Sequence, residues 1–296
     1  MLSERDLNGI FVPTITPFTA DGRLDPDSYG VYLDALLTHG IQGVVVNGTT
    51  GESPTMEWDE VELLVRATQR PIREKGLRMP VVVGTGTNST ASSVKRTEKA
   101  GQLGADAALV VVPYYNRPSQ AGIVEHFRQV AQVGVPVIVY EIPSRTGIRL
   151  ETDTASRIMD LDGVIGMKDS SGSTALLQAL ARTTGKPVLA GEDALLYDML
   201  RNGARGGILA SANIRTDAFL DVYLRFVQGD TEGAKQAFDL LVPWIDRLFR
   251  ESNPAPLKWL LARRGLIASE TLRLPMTPIT QALREDLEAW EALESE

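Results

Sequence analysis

Short runs of Val, Ile and Leu recur along this chain, separated by longer stretches in which apolar residues return every three or four positions. The runs are "GIFVPTIT" (9–16), "GVVVNG" (43–48), "PVVVGTG" (80–86), "AALVVVP" (107–113), "PVIVYEI" (136–142), "GVIGMK" (163–168), "PVLAG" (187–191) and "GGILASA" (206–212). They are nearly continuous rather than alternating, as strands covered on both faces require. The first helical stretch follows the cap "LDPDS", with Tyr29, Leu33, Leu36 and Leu37 on one face and Gly40 closing it. Further helices are predicted near 55–75, 90–103, 119–133, 152–160, 172–184, 193–202 and 215–228. Strand–helix units repeated in this way predict a (β/α)8 TIM barrel over residues 1–230. A doubly wound open sheet is the alternative built from the same units. Beyond about residue 230 the strand signal stops. "TEGAKQAFDLLVPWIDRLF", "NPAPLKWLLARRGL" and "TPITQALREDLEAWEAL" predict a helical C-terminal extension over 231–296, packed on the barrel with no flexible linker between.

Composition narrows the chemistry. The 296 residues include no cysteine, which excludes disulfides, thiol nucleophiles and cysteine-ligated metals. The two histidines, His39 and His126, are far apart and share no metal spacing; His39, just before Gly40, suits a helix-end cap. A net charge of −8 argues against a nucleic-acid surface. The opening "MLSERDLNGI" carries charges where a signal peptide needs an apolar core, and runs such as "AALVVVP" are too short to span a bilayer. A cytoplasmic protein is expected.

In a barrel of this type the site lies at the C-terminal ends of the strands. Those ends read "NGTTGES", "PYYNRPS", "YEIPSRTG", "KDSSG" and "GED". The most unusual is Lys168, which ends the apolar run "GVIGMK". A lysine in a dry barrel mouth is costly to keep charged, so its free amine becomes available to attack a ketone and form a Schiff base, an electron sink for the adjacent carbon–carbon bond. A lysine snorkelling to solvent or paired with a buried carboxylate is the competing reading. Tyr140, ending the preceding strand, could reach the same mouth and move protons. Side chains alternate along a strand, so if Tyr140 faces inward, Glu141 faces the helices and is structural. "GTTGES" follows a strand and could cradle an anion on its backbone N–H groups, with the Thr49 and Thr50 hydroxyls beside it. It lacks a Walker lysine, and "GTGTNST" (84–90) is read as turn plus helix cap rather than as a dinucleotide site. Arg145 can bind a carboxylate bidentately. A lysine for a keto group, a nest for one carboxylate and an arginine for another together point to a keto acid with an acidic partner.

The ordered set "GTTGES", "PYYNRPS", "Y-x-x-PSRTG", "G-x-K-x-x-x-G", "NPAPLKW" and "LRLPMTPIT" resembles the dihydrodipicolinate synthase family, among the pyruvate-dependent class I aldolases that include N-acetylneuraminate lyase. The likeness spans essentially the whole chain. It implies that Lys168 forms a Schiff base with pyruvate, that Thr49 and Thr50 hold the pyruvate carboxylate, and that Tyr140, Thr50 and Tyr115 form a proton relay. Tyr115 would enter from a neighbouring subunit, so a homo-oligomer, dimer or tetramer, is implied. Arg145 would orient the carboxylate of aspartate semialdehyde, and Gly191 and Ile208 would line the pyruvate pocket. No metal or organic cofactor is implied. Glu141 stands where many synthases carry Asn, and "KDSSG" replaces the "KEATG" kind of segment. Trp58, Val61 and Ser92 occupy the positions of a lysine-feedback site, of which Tyr114 and Asn88 remain, so weak or absent lysine feedback is expected. The alternatives are a sister aldolase or dehydratase acting on a 2-keto-3-deoxy sugar acid or 4-hydroxy-2-oxoglutarate, and a non-catalytic keto-acid-binding barrel.

Overall fold

Strands β1 (Gly9–Pro13), β2 (Gly43–Val46), β3 (Val81–Gly84), β4 (Ala107–Val111), β5 (Val137–Glu141), β6 (Val164–Asp169), β7 (Val188–Ala190) and β8 (Gly206–Ile208) pair in chain order into a closed barrel. Each is parallel to the next, and β8 closes on β1 through Gly9 opposite Gly206 and Phe11 opposite Ile208. This computed structural model describes residues 1–295; Glu296, the last residue of the expected extension, lies outside them. The closed order excludes the open doubly wound sheet. The apolar runs overshoot the paired strands because burial outlasts pairing: Ile15, Val112 and Ile142 lie beyond the last strand residues yet are buried.

Two apolar layers account for the continuous runs. Phe11, Val45, Val82, Leu109, Ile138, Leu189 and Ile208 fill the barrel interior, while Val12, Val44, Val83, Val110, Val139 and Met167 pack outward on the helices. A strand buried on both faces has no polar position to spare, which removes the alternation. Cutting one such interior Ile or Leu to Ala would cost about 2–5 kcal/mol.

The covering helices are α1 (Pro26–Leu36), α2 (Trp58–Glu74), α3 (Thr90–Gln102), α4 (Gln120–Ala131), the single turn α5 (Pro143–Thr146), α6 (Thr152–Met159), α7 (Ala175–Leu180), α8 (Leu196–Arg201) and α9 (Thr216–Val227). Their starts follow local chemistry. Asp25 accepts the Ser28 amide at 3.0 Å ahead of Pro26, and Glu57 with Glu60 forms a reciprocal capping box on α2. His39 does not cap α1; its Nδ1 meets Asp217 Oδ1 at 2.5 Å, a contact from the segment after α1 to the first turn of α9. The turn α5 is too short for periodicity to reveal.

After the barrel come α10 (Thr231–Leu248), α11 (Ala255–Arg263) and α12 (Gln281–Ser295). Leu241, Trp244 and Leu248 of α10, Leu257 and Leu260 of α11, and Leu283 and Leu287 of α12 join the outer apolar layer. Arg247–Asp286 and Arg263–Glu288, both at 2.9 Å, tie α12 back to α10 and α11. Among the described residues no helix is long and apolar enough to cross a membrane.

Candidate active site

Lys168 faces the barrel interior because β6 carries a bulge. Val137 pairs with Val164 but Ile138 pairs with Gly166, so Ile165 is an extra residue on β6. Val164 belongs to the outer layer and Ile165 to the inner one. Strict alternation from there would send Met167 inward and Lys168 out among the helices. The bulge inverts that phase: Met167 packs outward, and Lys168 pairs with Tyr140 and Leu189 of the inner layer. Gly166 makes the bulge possible, since a Cβ there would lie 2.5 Å from Leu7 Cδ2 and 2.7 Å from the Pro187 carbonyl oxygen.

The Lys168 side chain is buried, with Nζ 4.2 Å from the centroid of the Tyr140 ring. Gly191, after β7, gives it room: a Cβ there would meet Lys168 Cγ at 2.9 Å and Ser170 Oγ at 2.2 Å. Ile208 is fully buried in the same interior layer as Tyr140. Asp193, a buried carboxyl that sequence reasoning passed over within "GED", feels the Lys168 charge. Burial pushes it up to about 7, against the Ser211 backbone N–H it accepts at 3.3 Å and the neighbouring lysine, which both pull it down.

A cavity of about 320 Å³ opens beside this pair, walled by Thr49, Tyr140, Arg145, Tyr114, Leu109 and the glycines of β3 and its loop. Lys168 is not part of its wall; Tyr140 is the group shared by cavity and lysine. The Arg145 side chain makes no hydrogen bond or ion pair among the described residues, so its guanidinium is unspent at the rim. In the loop after β2, the N–H groups of Gly51 and Ser53 go to the Gly48 carbonyl and that of Glu52 to Thr49. Those of Thr49 and Thr50 find no backbone acceptor among the described residues, which leaves the donors an anion needs. Thr50 is buried, and its hydroxyl accepts from the Asn253 amide at 3.0 Å. Tyr115 is not brought into this cavity. It stands 88% exposed with φ of 71°, a left-handed backbone that costs a tyrosine about 1–3 kcal/mol.

Glu141 does face the helices. It is fully buried, accepts the Leu150 amide through Oε1 at 2.9 Å, and leaves Oε2 without a partner among the described residues. Burial pushes it up to about 7, and the charge of Asp169, its register neighbour on β6, adds to the effect. Asp169 is itself pushed up by burial, while Arg149 opposes both. Among the described residues no group of three or more His, Cys, Asp or Glu side chains is placed to hold a metal ion.

Sequence reasoning also missed the clamp on the "GTTGES" loop. Lys258 Nζ reaches Glu52 Oε1 at 2.7 Å with both side chains buried, and Arg273 donates its backbone N–H to Glu52 Oε2 at 3.1 Å. Burial lowers Lys258 to about 8 even with Glu52 beside it. Arg273 also holds Glu60 bidentately, and its guanidinium carbon lies 4.3 Å from the centroid of the buried Phe18 ring. The charged residues of "NPAPLKW" and "LRLPMTPIT" were the available signal, but their partners lie some 200 positions earlier.

A closed parallel barrel with these groups at its C-terminal mouth is the architecture of a class I aldolase-type lyase. The chain belongs to the dihydrodipicolinate synthetase family, whose model matches residues 6–292. It is 37% identical over 286 residues to 4-hydroxy-tetrahydrodipicolinate synthase 2 of Clostridium acetobutylicum, covering 95% of this chain and 98% of that one. Among solved structures, the 4-hydroxy-tetrahydrodipicolinate synthase of Methylacidiphilum fumariolicum SolV superposes with a TM-score of 0.92 at 33% identity, covering 97% of this chain and 95% of that one. A chloride-inhibited dihydrodipicolinate synthase from Acinetobacter baumannii, solved with pyruvate, gives a TM-score of 0.89 at 35% identity, with 96% and 97% covered.

Proposed function

We propose that this protein condenses pyruvate with L-aspartate 4-semialdehyde to 4-hydroxy-tetrahydrodipicolinate, the committed carbon–carbon bond of lysine and diaminopimelate biosynthesis. The observation that carries the reading is the buried Lys168 amine against the Tyr140 ring, beside a cavity with an unspent arginine at its rim. The neutral amine attacks the pyruvate ketone, and loss of water gives an imine. Removal of a methyl proton gives an enamine, whose carbon adds to the aldehyde and leaves an alcohol. The semialdehyde amine then attacks the imine carbon, closes the ring and expels Lys168 as the free amine. The imine is itself the electron sink, so the reaction requires no metal or organic cofactor.

In this reading the Thr49 and Thr50 N–H groups and the Thr49 hydroxyl hold the pyruvate carboxylate, and Gly191 and Ile208 shape its pocket. Tyr140, Thr50 and Tyr115 of the partner subunit relay protons to and from the carbinolamine. The strained, exposed Tyr115 suits that role, since a second copy would cover it and recover the cost of its backbone. The protein would therefore act in the cytoplasm as a homo-oligomer, a dimer or a tetramer of dimers. Lysine feedback is weak or absent, because Trp58, Val61 and Ser92 replace the family's lysine ligands.

The decisive experiment is a substrate panel with the wild type and Arg145→Ala. Aspartate semialdehyde should be condensed, and the variant should lose that activity selectively while still forming the pyruvate adduct. Turnover of a 2-keto-3-deoxy sugar acid or 4-hydroxy-2-oxoglutarate in preference, undisturbed by Arg145→Ala, would replace this reading with a sister lyase.

A further inference from the structure

The loop that carries Thr50 is held from the far end of the chain. The Asn253 side-chain amide donates to Thr50 Oγ1 at 3.0 Å, with both residues buried. A few residues on, Lys258 grips Glu52 of the same loop, and Arg273 donates to the carbonyl of Thr55 at 2.8 Å. A threonine hydroxyl has one proton to give and two lone pairs to fill. The Asn253 N–H fills one lone pair. The Thr50 hydroxyl makes no other hydrogen bond among the described residues, so its proton is uncommitted and points away from Asn253. A hydroxyl that accepts a hydrogen bond is also a better donor of its own.

We infer that Asn253, on the C-terminal extension, is a positioning residue for the proton relay: it fixes the direction in which the Thr50 hydroxyl gives its proton, away from the extension and toward the mouth that holds Tyr140 and Lys168. This rests on the functional reading above. It gives the extension a part in the chemistry beyond covering the barrel. It also explains why a buried polar side chain is tolerated there with its own Oδ1 unpartnered, because the amide is held for its donor.

Asn253→Asp tests the direction. An ionised carboxylate in that variant offers only acceptors, so it accepts a hydrogen bond from the Thr50 hydroxyl and reverses the bond; a protonated one can donate again. At about pH 8 the variant should form the reducible pyruvate adduct about 10²-fold more slowly than wild type, the scale of one lost proton-transfer group. Burial holds a carboxyl at this site above its ordinary range, as it does Asp169 and Asp193, so the deficit should shrink toward about pH 5.5, with the pyruvate KM little changed. Asn253→Ala should lose about tenfold with a deficit independent of pH, and serves alone if the aspartate variant does not fold. In a Thr50→Val background, neither change should slow the adduct further. A deficit in Asn253→Asp that is flat with pH, wild-type rates in both variants, or full additivity with Thr50→Val would overturn the inference. Failure of the wild type itself to form an adduct would instead bring down the functional reading on which it rests.

Discussion

Gly191→Ala adds one methyl group where the barrel mouth has no room. Its Cβ would lie 2.9 Å from Lys168 Cγ, 3.0 Å from Lys168 Cε and 2.2 Å from Ser170 Oγ. The Ser170 hydroxyl makes no hydrogen bond among the described residues and can rotate aside. The lysine stem cannot move without carrying its amine from its place 4.2 Å from the Tyr140 ring centroid. Restoring ordinary carbon–carbon contact of about 3.5–4.0 Å requires a displacement approaching 1 Å. Misplacement on that scale costs a positioned nucleophile about 10²-fold in rate. The cost in folding is smaller: overpacking of one methyl is worth about 1–3 kcal/mol, or several degrees in Tm for a chain of this size. The assay is the rate at which pyruvate with borohydride adds mass to the intact protein, read beside a thermal melt. The variant should stay folded and trap pyruvate about 10²-fold more slowly. Trapping at the wild-type rate in a folded Gly191→Ala would refute the argument that packing against this glycine sets the place of the lysine.

Other consequences follow from the same geometry. Glu141 keeps its proton in the folded state up to about 7 against an ordinary 4.5, so the fold loses stability as pH rises through that interval. Glu141→Gln keeps the acceptor for Leu150, and urea titrations should show a gain of up to about 3 kcal/mol at pH 8 that vanishes near pH 4. Lys258→Met removes one partner of a buried pair and leaves Glu52 charged, so denaturant melts should show a loss of about 3–5 kcal/mol. Tyr115→Phe and Lys168→Ala should each be nearly inactive as separate preparations. Mixed after reversible dissociation, they should recover about a quarter of wild-type activity through hybrids carrying one intact site; no recovery would argue that Tyr115 does not cross between subunits.

The barrel is visible in the sequence because a strand covered on both faces must be apolar throughout, and eight such runs separated by amphipathic stretches leave few other folds. That Glu141 faces opposite to Tyr140 follows from alternation alone, and the closed barrel decides which of the two faces inward. Lys168 does not: alternation from Val164 points it outward, and only the extra residue at Ile165 turns it in. A glycine within an apolar run hints at such a bulge, but the register depends on the neighbouring strand. Asn253, Lys258 and Arg273 were hidden for another reason. Each is ordinary in its own helix or loop, and its meaning comes from a partner about 200 positions away. Asp193 was visible as part of a polar strand end, but its burial beside the lysine comes from how β6, β7 and β8 close together.

The central claim is that Lys168 is the covalent centre of a pyruvate-dependent site. Treating the protein with pyruvate and borohydride, then digesting it and mapping the modified peptide by mass spectrometry, tests this directly. The account predicts one reduced pyruvate adduct per chain, on Lys168, and none in Lys168→Arg. An adduct on another lysine, or no adduct at saturating pyruvate, would contradict it.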